Sequence, residues 1–176
     1  LLFFPDARKF LIGPAYRFIK KYFHENNLNH LITTGPPHSM HNVGLRLKKD
    51  IKIKWISDFR DPWSNFFQNK LLNQLESTQR KHLKEEERIL KNADAVLTTA
   101  KSLNQKFSKV NNECFYIPSG FENAISCKPH KKFRILYAGS MKPIQNPRNL
   151  WDALSDLIET KENFKELVEI VLIGSI

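Results

Sequence analysis

Leu28-Asn29-His30-Leu31-Ile32-Thr33-Thr34-Gly35-Pro36-Pro37-His38-Ser39 is the stretch on which the fold turns. Its first half is a short apolar, β-branched run, and Gly35-Pro36-Pro37 ends it abruptly, so it reads as a buried strand and a sharp turn. Upstream, Ala15, Phe18, Ile19, Tyr22 and Phe23 recur at the spacing of one helical face, which predicts a helix over about 13–26. Downstream, Met40, Val43 and Leu47 share a face, predicting a helix over about 38–48, and Ile51, Ile53, Trp55 and Ile56 predict the next strand.

The alternation continues to the end of the chain. A charged helix is expected over about 68–91, with Lys84, Glu85, Glu87, Arg88 and Lys91 spaced for pairs one turn apart on solvent. Ala95–Thr99 reads as a strand, about 101–108 as a short helix, and Phe115-Tyr116-Ile117 as a strand stopped by Pro118-Ser119-Gly120. Residues 122–132, with Lys128, Pro129, His130, Lys131 and Lys132, have no apolar period and read as a linker. Phe133–Ala138 and Val168–Ile173 are expected as strands on either side of a helix opened by Asn146 as N-cap and Pro147, with Leu150, Trp151, Leu154, Leu157 and Ile158 on its buried face. Strand and helix in strict alternation imply an α/β fold of right-handed crossovers: a Rossmann-like parallel sheet with helices on both faces.

Composition narrows the function classes. The chain has 176 residues, 41% of them hydrophobic, enough for a real core. Cys114 and Cys127 form no C-x-x-C pair and cannot build a disulfide scaffold, which suits a reducing compartment. No apolar run approaches the roughly 20 residues that span a bilayer, and no signal peptide is visible, so a cytoplasmic, soluble or peripheral protein is expected. Net charge is +10 and uneven: residues 1–56 carry ten Lys/Arg against three Asp/Glu, and 151–176 two against six. The basic first half suits either ordinary solvation or an anionic partner such as a membrane surface, nucleic acid or a phosphorylated substrate. Arg17, Lys20, Lys21, Lys48, Lys49, Lys52 and Lys54 are the cations that an anionic membrane would meet.

In parallel sheets ligands bind beyond the carboxyl ends of the strands. Four turns lie there: Thr33-Thr34-Gly35-Pro36-Pro37-His38-Ser39, Asp58-Phe59-Arg60-Asp61-Pro62-Trp63, Ile117-Pro118-Ser119-Gly120-Phe121 and Tyr137-Ala138-Gly139-Ser140. In the first, a helix start offers unpaired N–H groups to a hydroxyl or phosphate oxygen, with Gly35 and Ser39 at hand. His38 can hold or deprotonate an acceptor hydroxyl, or simply bond locally at the helix start. His41 one turn on makes a His-x-x-His pair, but no Cys or carboxylate ligand lies near it in sequence, and no metal is expected. In the second turn, Asp58 or Asp61 can take a hydroxyl proton and Arg60 can hold a phosphate; the alternative is an internal Asp–Arg bridge that only fixes the turn.

Taken in order, these turns resemble the family-4 glycosyltransferases of GT-B fold, above all bacterial ones with a T-G-P-P-H-S turn and a D-F-R-D-P-W turn. Ala93-Asp94-Ala95 and Ile117-Pro118-Ser119-Gly120 resemble that family's A-D-x-V strand entry and its I-P-N-G segment, and Tyr137-Ala138-Gly139-Ser140 resembles the opening of its donor domain. The resemblance implies an acceptor-side Rossmann-like domain over 1–121 lacking its first strands, a linker over 122–132, and the start of a nucleotide-sugar domain over 133–176. It implies transfer of a sugar from a nucleotide-sugar donor to a sugar or lipid-linked acceptor in cell-envelope or polysaccharide synthesis, with no cofactor. Catalytic candidates are then His38, Asp58 and Asp61, with Gly35, Ser39 and Arg60 on the substrate.

Gly139, Ser140, Lys142 and Arg148 would face the donor phosphate. Ser140 and Gln145 stand where the family usually carries basic residues, which leaves the charge to Lys142 or Arg148. The family's glycine-rich acceptor loop would lie before Leu1 and its E-x7-E motif after Ile176, so this stretch alone is expected to be inactive. Two other readings compete. A basic nucleic-acid-binding module would fit pI 9.6, but there is no RNP, KH or zinc-finger pattern. A Rossmann oxidoreductase or sugar-nucleotide epimerase would need a G-x-G-x-x-G, and the six glycines occur singly.

Overall fold

The computed structural model describes residues 4–65, 75–123 and 129–175. Cys127 and the first residues of the helix expected from about 68 lie outside them. Two compact units divide the chain, Leu1–Phe121 and Glu122–Ile176.

In the first unit, helix α1 (Ile12–Glu25) leads to strand β1 (His30–Gly35), a 3-10 turn (His38–Met40) and helix α2 (His41–Asp50). Strand β2 (Lys54–Phe59), helix α3 (Glu76–Asn92), strand β3 (Ala95–Thr98), helix α4 (Lys101–Phe107) and strand β4 (Cys114–Tyr116) complete it. The strands form one parallel sheet in the order β1-β2-β3-β4. This is a Rossmann-like α/β fold.

The order never reverses among these strands, and right-handed crossovers that always step the same way put every connecting helix on one face. Burial follows that rule. Thr33, Trp55, Ser57, Phe59, Val96 and Thr98 point under the helices and are buried, whereas Ile32 on the other face is 62% exposed and Phe115 49%. The expectation of helices on both faces therefore does not hold for the described residues. Alternation of strand and helix fixes crossover handedness, but the side on which a helix lands depends on strand order, which no local pattern encodes.

The core lies between this face and α1, α2, α3 and α4, with Leu47, Trp55, Phe59, Ile89, Val96 and Phe107 wholly buried. Each such side chain contributes about 1.5–3 kcal/mol by leaving water. Gly44 makes a close approach: a Cβ there would lie 2.2 Å from Trp55 Nε1, so α2 rests on the indole directly. The α1 stripe is only half used. Phe23 is buried and Ala15 and Ile19 pack on the core, but Phe18 and Tyr22 stack on each other in the open, 6.1 Å between ring centres.

The second unit is a single crossover. Parallel strands β5 (Phe133–Ala138) and β6 (Val168–Ile173) are joined by helix α5 (Arg148–Thr160) and the short helix α6 (Phe164–Leu167). Helix α5 begins one residue later than expected, with Pro147 as N-cap after a 3-10 turn over Pro143–Gln145. Asn146, the residue expected to cap it, instead accepts the Trp151 indole N–H at 2.6 Å. Leu154 is the buried residue of α5; Phe133, Leu136 and Ile173 are exposed.

Candidate functional site

Strands β1 and β2 are neighbours, with Gly35 opposite Phe59, so the first two turns share the carboxyl edge of the sheet. The second turn is tied to both flanking strands: Arg60 N–H donates to the Gly35 carbonyl at 3.0 Å, and the Thr99 hydroxyl donates to the Arg60 carbonyl at 2.8 Å. The Arg60 guanidinium reaches the Pro36 carbonyl at 3.0 Å and is otherwise exposed. No ion pair joins Arg60 to Asp58 or Asp61 among the described residues, so the internal Asp–Arg bridge is not formed.

His38 does not sit in the open. It is 9% exposed, parallel to Trp63 at 5.3 Å between ring centres, and within 6.0 Å of both Phe59 and His41. Burial holds its pKa below the ordinary histidine value, against the pull of Asp6, Glu86, the Pro62 carbonyl and Asp61. The ring is neutral at pH 7, and its Nδ1 is buried without a partner. His41 goes further, with no exposed surface and a pKa pushed down to about 3 by burial and by His38. The Thr33 hydroxyl lies 2.9 Å from His41 Nδ1 and accepts the Trp55 indole N–H at 2.8 Å, which leaves His41 Nε2 unpartnered.

Gly35 is required by these rings. A Cβ there would stand 2.6 Å from His38 Nδ1 and 2.8 Å from His41 Nε2, so the two imidazoles close over its bare Cα. Ser39 is equally enclosed. Its N–H and its hydroxyl both donate to the Asp6 carboxylate at 2.8 Å, so the helix start expected to hold a substrate oxygen already holds a carboxylate of the chain itself.

The two acidic candidates part company. Asp58 follows the strand alternation onto the open face of the sheet, where the Thr34 hydroxyl donates to it at 2.8 Å. His38 packs on Phe59, on the helix-covered face. Asp61, past the end of β2, is half-buried, acts electrostatically on His38, and has no hydrogen bond or ion pair among the described residues. The structure thus brings His38 and Asp61 together and sets Asp58 apart, because alternate residues of a strand face opposite ways.

Three residues that carry this site have no counterpart in the sequence reading. Glu86 on α3, 2% exposed, accepts the Ser64 N–H and hydroxyl at 2.8 Å each and Lys106 Nζ at 2.6 Å. His82, one turn earlier, accepts the Trp63 indole N–H at 3.0 Å. Together they clamp the Asp61-Pro62-Trp63-Ser64 segment onto α3. A signal existed: Thr78, His82, Glu86, Ile89 and Leu90 form a helical stripe, polar in its first half. Asp6, the third, is 33 residues from Ser39 and gave none.

In the second unit, Gly139 and Ser140 follow β5 and Arg148 opens α5. Gly139 N–H is committed to the Ile173 carbonyl at 2.8 Å, and the Ser140 hydroxyl receives that of Ser175 at 2.9 Å. Lys142 and Arg148 are exposed and free of ion pairs among the described residues. Of the seven cations considered for a membrane, Lys20 pairs with Asp50, Lys21 with Glu25, and Lys48 and Lys54 with Asp94. Burial, the largest influence on Asp94, raises its pKa, but Lys48, the Trp55 N–H and Lys54 outweigh it and hold the carboxyl low. No helix among the described residues is long and apolar enough to cross a membrane, and no group of three metal-ligating side chains occurs among them.

No protein-family model matches this sequence, and no curated protein matches it.

Proposed function

We propose that this chain belongs to a glycosyltransferase that moves a sugar from a nucleotide-sugar donor to an acceptor hydroxyl in cell-envelope or polysaccharide synthesis. The observation that carries the reading is Asp61: a half-buried carboxylate, without a hydrogen-bond or ion-pair partner among the described residues, at the carboxyl edge of a parallel sheet and fixed in place by its clamped neighbours Trp63 and Ser64. Asp61 takes the acceptor's hydroxyl proton as that oxygen bonds to the anomeric carbon, and the bond from this carbon to the donor phosphate breaks with its electron pair on the departing nucleoside diphosphate. Arg60 steadies the acceptor. His38, enclosed and neutral, supports the turn rather than acting as the base. In the second unit, taken by itself, exposed Lys142 and Arg148 with the start of α5 are suited to a diphosphate. The turn sequences shared with family-4 glycosyltransferases support the same reading.

The test is release of nucleoside diphosphate from a panel of nucleotide sugars by the full-length polypeptide, with and without the Asp61→Asn substitution. A general base contributes about 10²–10⁴-fold, so turnover should fall by that much while the urea midpoint stays put. Unchanged turnover in Asp61→Asn removes the assignment. We further place the enzyme on the cytoplasmic side of an anionic membrane, an idea supported by exposed Phe10, Phe18 and Tyr22 beside Arg17 near and along α1.

A further inference from the structure

A second concave site lies on the helix layer of the first unit, lined by no residue of the two turns at the sheet edge. It is a groove of about 470 Å³ between the start of α1, the outer face of α2 and the middle of α3. That volume is within the range of small-molecule sites. Four cations line it: Lys9, Arg46, Lys49 and Arg88.

Their pairing is unequal. Arg88 donates through Nη2 to Asn42 Oδ1 at 2.9 Å and to Glu85 Oε1 at 2.5 Å, so it is neutralised and held in one place. Lys9, Arg46 and Lys49 have no ion pair among the described residues. Arg46 and Lys49 are one turn apart on α2, a like-charge spacing that costs stability unless an anion lies between them. The groove also has an apolar side. Phe4, Phe10, Ile12 and Leu45 line it, and Phe10 is 63% exposed.

We propose that this groove binds an organic phosphate, a phosphate group joined to an apolar residue. The phosphate lies between Arg46, Lys49 and Lys9, where guanidinium and ammonium donors meet its oxygens by charge-assisted hydrogen bonds. The apolar portion covers Phe10 and the Ile12 side of the groove. Arg88 is neutralised by Glu85, which also lines the groove, so the pair adds no net charge; held by Asn42 and Glu85, it gives the groove a wall that is already ordered before binding. A bare inorganic anion would use the cations alone, and a neutral hydrocarbon the aromatic side alone; only a molecule with both uses the whole groove.

Calorimetry on the intact chain tests this with octyl phosphate below its micelle concentration, inorganic phosphate and octanol as probes. Octyl phosphate should bind about tenfold or more tighter than either partial probe, and the Arg46→Gln/Lys49→Gln double variant should lose about tenfold of that affinity. A Lys161→Gln/Lys165→Gln variant, altered only in the second unit, should bind like the wild type. Both altered pairs are exposed, and circular dichroism verifies that the variants fold. Equal binding of octyl and inorganic phosphate, or undiminished binding by the α2 double variant, overturns the proposal.

A flotation arm with phosphatidylglycerol vesicles separates the sources. If octyl phosphate displaces the chain from vesicles in proportion to its occupancy, the ligand is a lipid headgroup. If it binds without changing flotation, the ligand is a free organic phosphate. None of these readouts involves sugar transfer, so the glycosyltransferase reading can fail while this site stands, and the reverse.

Discussion

Acid should destabilise the first unit well before its carboxylates protonate, and His41 sets the scale. Its pKa is about 3 in the folded chain and near the ordinary 6.5 when unfolded. Above pH 6.5 neither state carries the proton, and the full stability is present. As pH falls below 6.5 the unfolded chain binds a proton that the folded chain refuses, so stability is lost progressively until about pH 3. At pH 5 the loss from this one side chain is roughly 2 kcal/mol, at about 1.4 kcal/mol for each pH unit crossed. His38 and His82 are also held low, chiefly by burial, and add in the same direction. The depressed carboxylates Asp50 and Asp94 act in a lower window, since their stabilisation is lost only as pH falls through their lowered pKa values.

The assay is urea unfolding followed by Trp55 and Trp63 fluorescence, with Trp151→Phe to silence the second unit. At an m-value of about 2 kcal/mol/M, the His41 share alone lowers the midpoint by about 1 M between pH 7.5 and 5. His41→Gln, which keeps a hydrogen-bonding group beside Thr33, is less stable at pH 7.5 but should lose about 2 kcal/mol less over that interval. A wild-type midpoint that is flat from pH 7.5 to 5, or a His41→Gln slope equal to the wild-type slope, refutes the reasoning.

Gly35→Ala should cost about 1–3 kcal/mol by urea titration, because the added methyl group meets two enclosed imidazoles that have nowhere to retreat; a neutral substitution would mean the rings move freely. Glu86→Ala strips three donors of their acceptor and should cost about 3 kcal/mol while loosening the Asp61 turn, so turnover falls along with stability. Stability lost without turnover would separate the clamp from the site. Vesicle sedimentation should show binding to anionic bilayers that weakens with salt, and a Phe18→Ser/Tyr22→Ser variant should bind less. Equal sedimentation with neutral and anionic vesicles at low salt removes the membrane proposal.

The strands and most helices of this chain are legible in its sequence because their signals are local. The existence of β1, β2 and α5 depends on residues a few positions apart, although β2 runs later than Ile51 and Ile53 suggested and takes in Asp58 and Phe59, and Leu150 and Ile158 of the α5 stripe are exposed. What the sequence hid is non-local. Asp6 closing the α2 start, Asp94 accepting the Trp55 N–H and pairing with Lys48, and Glu86 seizing Ser64 are contacts across 22–46 residues, made by side chains that look like ordinary surface charge. The charged helix, read from its solvent-facing pairs, also buries His82 and Glu86 in a stripe where polarity masked periodicity.

The same distinction decides which candidate residues survive as chemistry. A turn sequence announces that histidine, serine and two aspartates come close along the chain; it does not say which of them face water. Strand alternation sent Asp58 to the open face, two aromatic rings and a second histidine enclosed His38, and Asp6 took both donors of Ser39. Asp58 and Ser39 were lost to hydrogen-bond partners supplied by the fold, and His38 to burial. Asp61 is the acidic candidate that found no such partner among the described residues, although its neighbours on the chain are among the most firmly held in the unit. Among the described residues this carboxylate is unpaired on a firmly fixed backbone, and its electrostatic pull on His38 is the one interaction it makes with the fold. Its exposure to an incoming hydroxyl is the feature that remains to be used, and for that reason Asp61, rather than the more conspicuous His38, is the residue on which the functional reading rests.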